Sequence, residues 1–428
     1  MSLGTVEPRR VRALLGNRDL VLLLAAGLVS QTGDWLLATG IGFQVYVLTG
    51  STLATAGVLL ATQVPQVVLS SVAGVLVDRW DRRRVMVAAN LVLAVVLLPL
   101  VAVQDASRIW VVYVVVALSS VVAPFFTAAE ATMVPVLVGP ELLVTANAAN
   151  AQVRNVARLV GAALGGVVVA AGGLTWVAGA DVGTFLLAAA LVALVRRRTP
   201  RTEVSVRPRL VREWTAGLAV VRRSRALLVV VAFFALSGVG ESVMGALFAP
   251  FVHDVLGGSA RAFGAILAVQ AVGGIVGGLT VTALGHRVAP KTLFAWGALA
   301  FGALDLVLFL YPLAYPRVWP ALVVIAVVGL PGAAVFAGAL TVFQLATTDE
   351  VRGRVFGAVT TVQNAAMLAS TLVVGTLAGR AGIVPVIAVQ GAVYVLCGVL
   401  VLAFLPGAGP ARGINPRAAS AAAGPRRA

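Results

Sequence analysis

Runs of about twenty apolar residues, separated by short polar breaks from residue 20 to residue 405, limit what this chain can fold into. A hydrocarbon core about 30 Å thick is crossed by about 20 residues of α-helix, and a helix satisfies its own backbone polar groups in lipid. The runs are continuous rather than alternating, which excludes the short strands of a membrane barrel. Scanning at that length predicts twelve spans, near residues 20–47, 52–77, 85–104, 109–137, 147–171, 175–195, 226–252, 260–284, 291–312, 318–346, 355–378 and 383–405. The predicted fold class is an all-α membrane protein of twelve transmembrane helices. The first run is too long for a signal peptide and lacks a cleavage-like boundary, so it is expected to stay as a span.

Charge then sets orientation. The chain carries a formal +16, which in a soluble protein would suggest nucleic acid. Here the arginines fall between spans without interleaved aromatics, so no nucleic-acid partner is expected. Of 32 Lys and Arg, 28 fall on the side of the N-terminus if Arg154 and Arg158 are counted there, and Arg108, Arg261, Arg317 and Arg380 fall on the other. The positive-inside rule therefore places both termini in the cytoplasm, and the expected location is the cell (inner or plasma) membrane.

The expected domain organisation is a six-helix lobe over residues 1–195, a basic cytoplasmic linker over 196–225, a second six-helix lobe over 226–405 and a disordered tail over 406–428. In the linker, Leu210, Val211, Trp214, Leu218 and Val221 have helical apolar spacing with arginines opposite, the pattern of a helix lying on the inner membrane surface. The tail is rich in Pro, Gly and Ala.

The two lobes repeat. At an offset of 207 residues, SQTGD ending at Asp34 falls on SGVGE ending at Glu241, and Gly50, Gly57, Gln63 and Pro124 fall on Gly257, Gly264, Gln270 and Pro331. Two half-chains related by pseudo-two-fold symmetry are the build of a transporter with its site between repeats. Asp34 lies about 15 residues into its span, roughly 22 Å at 1.5 Å per residue, and Glu241 lies equally deep. Ionisable residues at such depth are costly and are functional by default, so Asp34 and Glu241 are the candidate proton-coupling acids. The plainer alternative for Asp34 is a carboxylate bonded to its neighbours, Gln31 among them. Gln63 and Gln270 are candidates to line a cavity with Gln31 and Trp35, and Phe43 and Phe233 could add aromatic surface or serve packing alone. Glu130, near the inner end of its span, could line the cavity or pair with Arg154 or Arg158. Asp181 and Asp305 lack acidic repeat partners and read as helix-packing or outer-vestibule acids.

Between the second and third spans the chain reads GVLVDRWDRRR, and this resembles the cytoplasmic loop signature of the major facilitator superfamily, with Gly74, Asp78, Arg79, Arg82 and Arg83 matching and Asp81 in place of the usual second glycine. RLVGAALGG is similar to the fifth-span motif of drug–proton antiporters, with Gly161, Gly165 and Gly166 matching and Ala162 in place of a proline. DEVRGRVFGA, residues 349–358, resembles the segment before the eleventh span in the transmembrane secretion effector branch, which includes macrolide and siderophore exporters. The resemblance implies a cytoplasmic gate in which Asp78 pairs across to Arg352 or Arg354, and a glycine cluster for close packing of the fifth span. No arginine occurs in the body of the fourth span, where Glu130 stands instead, so a relay of the usual fourth-span arginine type is not implied.

The function expected is proton-coupled efflux of small, largely apolar molecules by alternating access, with protons, the substrate and the bilayer as partners and a monomeric state. An importer or an uncoupled facilitator of the same fold would share the topology. No GxxxxGKS phosphate loop occurs, so direct use of ATP is not expected. Cys397 is the single cysteine and His253 and His286 are the two histidines, at span ends, so neither a metal nor another cofactor is expected. A membrane-embedded enzyme or receptor is disfavoured because no nucleophile, base and metal-ligand set falls at one depth.

Overall fold

The computed structural model describes Leu14 and residues 16–77, 80–139, 142–196, 219–222 and 224–405. Within them run eleven long helices: α1 Arg18–Thr49, α2 Thr52–Val77, α3 Arg82–Leu97, α4 Ile109–Leu137, α5 Leu143–Ala193, α6 Arg225–Pro250, α7 Ala260–Leu284, α8 Pro290–Leu310, α9 Val318–Leu345, α10 Asp349–Ala381 and α11 Ile383–Phe404. Each, with its flanking turns, is long and apolar enough to span a membrane. Helix α3 continues as a 3-10 turn, Leu98–Ala102, and α6 closes as a π turn, Phe251–Val255.

Helix α5 makes two of the twelve passes. Gly172 and Gly173 leave helical geometry, and Gly173 sits at φ 60°, a conformation that favours glycine. Contacts with α1 show that the chain reverses there. Along α1, Gly161 packs on Thr32 and Leu36 and Gly165 on Leu36 and Thr39, so the first arm of α5 runs parallel to α1. Gly33 faces Asp181 and Thr184 while Gly40 faces Val177, so the second arm runs antiparallel.

The repeat appears in the caps. Helices α1 and α6 begin 207 residues apart, behind Asn17 and Ser224, whose side chains accept from the backbone N–H of Leu20 and Leu227 at 3.2 and 3.4 Å. The equivalent glycines Gly50 and Gly257 turn the chain beyond them, at φ 59° and 62°. Pro124 lies inside α4 and Pro331 inside α9.

Helices α1–α5 pack mainly on one another, as do α6–α11, and the lobes meet chiefly where α5 crosses α7 and α2 crosses α10. We call the face holding the start of α1 basal and the opposite face far. The far half holds one apolar cluster drawn from both lobes, with Ile41, Phe43 and Val177 beside Phe248, Phe251 and Phe263. The basal half holds two separate clusters, one around Leu20, Met86 and Met133 in the first lobe and one around Val230, Phe294 and Phe343 in the second. The lobes are therefore joined at the far half and parted at the basal half. Hydroxyl bonds reinforce the join: Thr52 Oγ1 donates to the Gly375 carbonyl and Thr55 Oγ1 to that of Ala246, each at 2.8 Å.

Residues 197–218 of the linker and the tail 406–428 lie outside the described residues. Of the expected surface helix, residues 219–222 are helical. Val221, expected on the membrane surface, is instead buried in the second-lobe cluster, where it meets apolar helix faces.

Candidate functional site

A cavity of about 340 Å³ is lined almost wholly by the first lobe, by α1, α2, α4 and Leu93 of α3, and reaches the second lobe at Gly245 of α6. Its surface is mostly aliphatic, from Leu37, Ile41 and Leu59, with a few polar groups: Asp34, Thr62, Gln66 and Ser120. An apolar wall with sparse polar groups suits small, largely apolar ligands.

Asp34 is exposed to this cavity. Directly behind it, Asp181 on the second arm of α5 is fully buried, with its carboxylate pressed on Gly33. Asp181 Oδ1 accepts from Thr184 Oγ1 at 2.8 Å, while Oδ2 is buried without a hydrogen-bond partner. The two carboxylates are electrostatic neighbours. Only a glycine at position 33 leaves room for this, because a Cβ there would lie 1.9 Å from Asp181 Oδ1.

Glu241 occupies the equivalent place on α6. It is exposed, one turn before the cavity residue Gly245, and accepts from Gln363 Nε2 at 3.3 Å. Beside it, Ser242 and Ser370 share a 2.7 Å hydrogen bond that ties α6 to α10. Asp305 lies within the second lobe, where Gln390 Nε2 donates to it at 2.9 Å.

Arg158, counted by sequence with the charges of the basal side, sits over the Trp35 ring, its guanidinium carbon 5.1 Å from the centroid. Its Nη2 donates to Gln270 Oε1 of the second lobe at 2.8 Å. Arg154, not Arg158, is the arginine whose charge acts on Glu130, with Asn150 alongside. Glu130 Oε1 and Gln31 Nε2 both lie beside Gly27. Gln63 Nε2 is buried without a partner, and Gln66, one turn on, is the glutamine in the cavity wall. Phe43 and Phe233 are packing residues, Phe43 tilted against Phe263 and Phe233 edge to face with Phe294.

Gly161 and Gly165 let the first arm of α5 sit on α1, and Gly166 meets Gly264 of the second lobe with backbones in contact. In the gate sequence, Gly74 lies in α2, and Asp78 and Arg79 lie outside the described residues. Asp81 is the N-cap of α3, accepting from Arg84 N at 2.9 Å. Arg82 is buried at the first turn and Arg83 donates to the Ala193 carbonyl. Arg352 bonds Thr347 Oγ1 and O at 3.4 and 3.3 Å, and Arg354 is exposed.

Sequence reasoning reads Asp181 as a packing or outer-vestibule acid without its approach to Asp34, and it counts Arg158 with the basal charges without its depth. Gly33, which makes room for Asp181, was the signal available for the first.

Residues 13–416 match the family described as transmembrane secretion effector. The chain is 31% identical over 379 residues to the multidrug efflux pump Tap of Mycobacterium tuberculosis, covering 85% of this chain and 87% of that one. It is 27% identical over 365 residues to macrolide efflux protein A of Streptococcus pyogenes, covering 83% and 88%. Among solved structures, the nucleoside transporter NupG superposes with a TM-score of 0.73 at 14% identity, over 91% of this chain and 100% of that one. A bacterial homologue of the iron transporter ferroportin, in an inward-facing state, gives 0.70 at 17% identity over 90% and 98%. These two likenesses show the fold. The chain belongs to the transmembrane secretion effector family of the major facilitator superfamily, and it is a multi-pass membrane transporter of small molecules, not an enzyme.

Proposed function

We propose that this transporter exports small, largely apolar molecules in exchange for protons by alternating access. The observation that carries the reading is Asp34, a carboxylate on the cavity wall at mid-depth, backed by the buried Asp181. The excess of Lys and Arg on the basal side makes that side cytoplasmic. The arrangement of the apolar clusters then corresponds to a state closed outside and parted inside.

In the exchange, substrate enters from the inner leaflet or cytoplasm while the acid pair gives up its proton. After the lobes rock, a proton from outside reloads Asp34 and releases the substrate. Asp181 serves as the second carboxylate across which the proton is held, and its free Oδ2 is the position for it. One charge moving through about 100 mV supplies about 2.3 kcal/mol, and a pH gradient adds to that. Glu241 is the matching acid of the second lobe. The names of the relatives, a multidrug and a macrolide efflux protein, favour outward transport. The basal loop is the reading for the inner gate, with Asp78 pairing to Arg352 or Arg354 when the inside closes, and the working unit is a monomer.

The test is rhodamine 123 flux in proteoliposomes under an imposed proton gradient. Asp34→Asn is expected to abolish gradient-driven flux with rhodamine binding retained, and Glu241→Gln to weaken it. An unchanged pH dependence in both would sink the coupling assignment.

A further inference from the structure

Arg158 lies 15 residues into α5, about 22 Å from its start, so it is a cation at mid-depth. Gln270, to which it donates, lies well inside α7. Ionisable side chains at this depth normally pair with one another or serve a pathway. Among the described residues, no carboxylate oxygen lies within 4.0 Å of Arg158. The acids on neighbouring helices are engaged elsewhere: Glu130 lies beside Arg154, and Asp34 faces the other cavity.

A guanidinium carries five N–H donors, and Gln270 takes one. The group opens on a recess of about 280 Å³ between the lobes, lined by Asn155, Arg158 and Gln270 with Phe301 and the glycines Gly329 and Gly332. Two amides, one from each lobe, flank the cation; the ring and the glycine backbones give a flat apolar floor. A planar fork with free donors beside amide groups matches a carboxylate, which it can bind through two parallel hydrogen bonds. Trp35 orients the guanidinium without neutralising it.

We propose that this recess is an anion-binding subsite, in which Arg158 with Asn155 and Gln270 holds the carboxylate of an otherwise apolar transported molecule. The subsite extends the substrates to organic acids, and as a transport subsite it rests on the reading in the preceding subsection. Because Arg158 and Gln270 belong to different lobes, the bound acid bridges them and must leave when they rock apart.

The experiment uses the full chain in nanodiscs and two xanthene dyes, fluorescein, which carries a free carboxylate, and rhodamine 123, a cationic ester. Binding is read by dye polarisation for wild type, Arg158→Gln, Arg158→Lys and Asn155→Ala. Fluorescein affinity is expected to fall about tenfold or more in Arg158→Gln and by about threefold in the other two. Rhodamine affinity is expected to stay within about twofold throughout, which also verifies that each variant is folded. Inorganic phosphate, as the competing source of anion, is expected to displace fluorescein poorly at about 10 mM, because it gains nothing from the apolar floor. Failure of wild type to bind fluorescein, equal affinity in Arg158→Gln, or full displacement by phosphate overturns the assignment. Arg158-dependent binding without flux of either dye rejects the export reading and leaves the subsite standing.

Discussion

Tyr46 and His253, 207 residues apart and equivalent in the two halves, meet edge to face with ring centroids 5.9 Å apart. Symmetry mates touch only at the axis relating them, so this pair marks where the pseudo-two-fold axis leaves the far face. Asp254 fastens the contact: it accepts from the Tyr46 hydroxyl, and its other oxygen lies 2.6 Å from His253 Nδ1.

Tyr46→Phe removes the hydroxyl of that clasp and should favour opening of the far side. Gly42 lines the cavity with nothing within 4 Å of a built Cβ, so Gly42→Cys reports access without disturbance once Cys397 is replaced. Reaction of that thiol with an impermeant maleimide from the far side should speed up by about threefold to tenfold in Tyr46→Phe, as expected for one lost hydrogen bond.

Gly166 and Gly264 form a close interlobe crossing, where a Cβ on either would lie 2.8 Å from the other's Cα. Gly166→Leu should prevent far-side closure at a cost of about 1–3 kcal/mol to that state, ending flux while the protein still assembles. Gly179→Leu, where nothing lies within 4 Å, should transport normally. Flux and detergent-solubilised yield measured together separate the two outcomes.

Gly33→Ala alters no titratable group, yet its methyl would occupy the position of Asp181 Oδ1. If Asp181 shares the coupling proton, Gly33→Ala should reproduce the flat pH profile of Asp181→Asn in dye flux. A normal profile in Gly33→Ala with a flat one in Asp181→Asn would confine the role of Asp181 to its charge.

Asp81 stands where the superfamily loop has glycine, and it caps α3. Asp81→Ala should cost about 1 kcal/mol and Asp81→Gly only a few tenths, since glycine is itself tolerated at an N-cap. Thermal melting in detergent should therefore rank wild type just above Asp81→Gly and both above Asp81→Ala.

The helices were legible because lipid leaves a long apolar run no other structure, and the 207-residue offset was legible because it recurs in caps and corners as well as in acids. Tertiary phase was not. Asp181 reaches Asp34 only because α5 reverses at Gly172 and Gly173, bringing its second arm back along α1. Arg158 read as a basal charge because the first arm is longer than a bilayer requires, and the sequence does not say which end protrudes. The structure places that residue over Trp35 instead.

The basal clusters are each complete within one lobe, and only the far-half cluster is shared. Two separately synthesised polypeptides, one ending at residue 196 and one starting at 219, therefore each retain a basal core of their own and lose only the packing shared at the far half. Their reassembly in the bilayer rests on close backbone contact and hydroxyl bonds at the far half rather than on a covalent tether. Coexpressed fragments should restore export, and a fragment pair carrying Gly264→Leu should not.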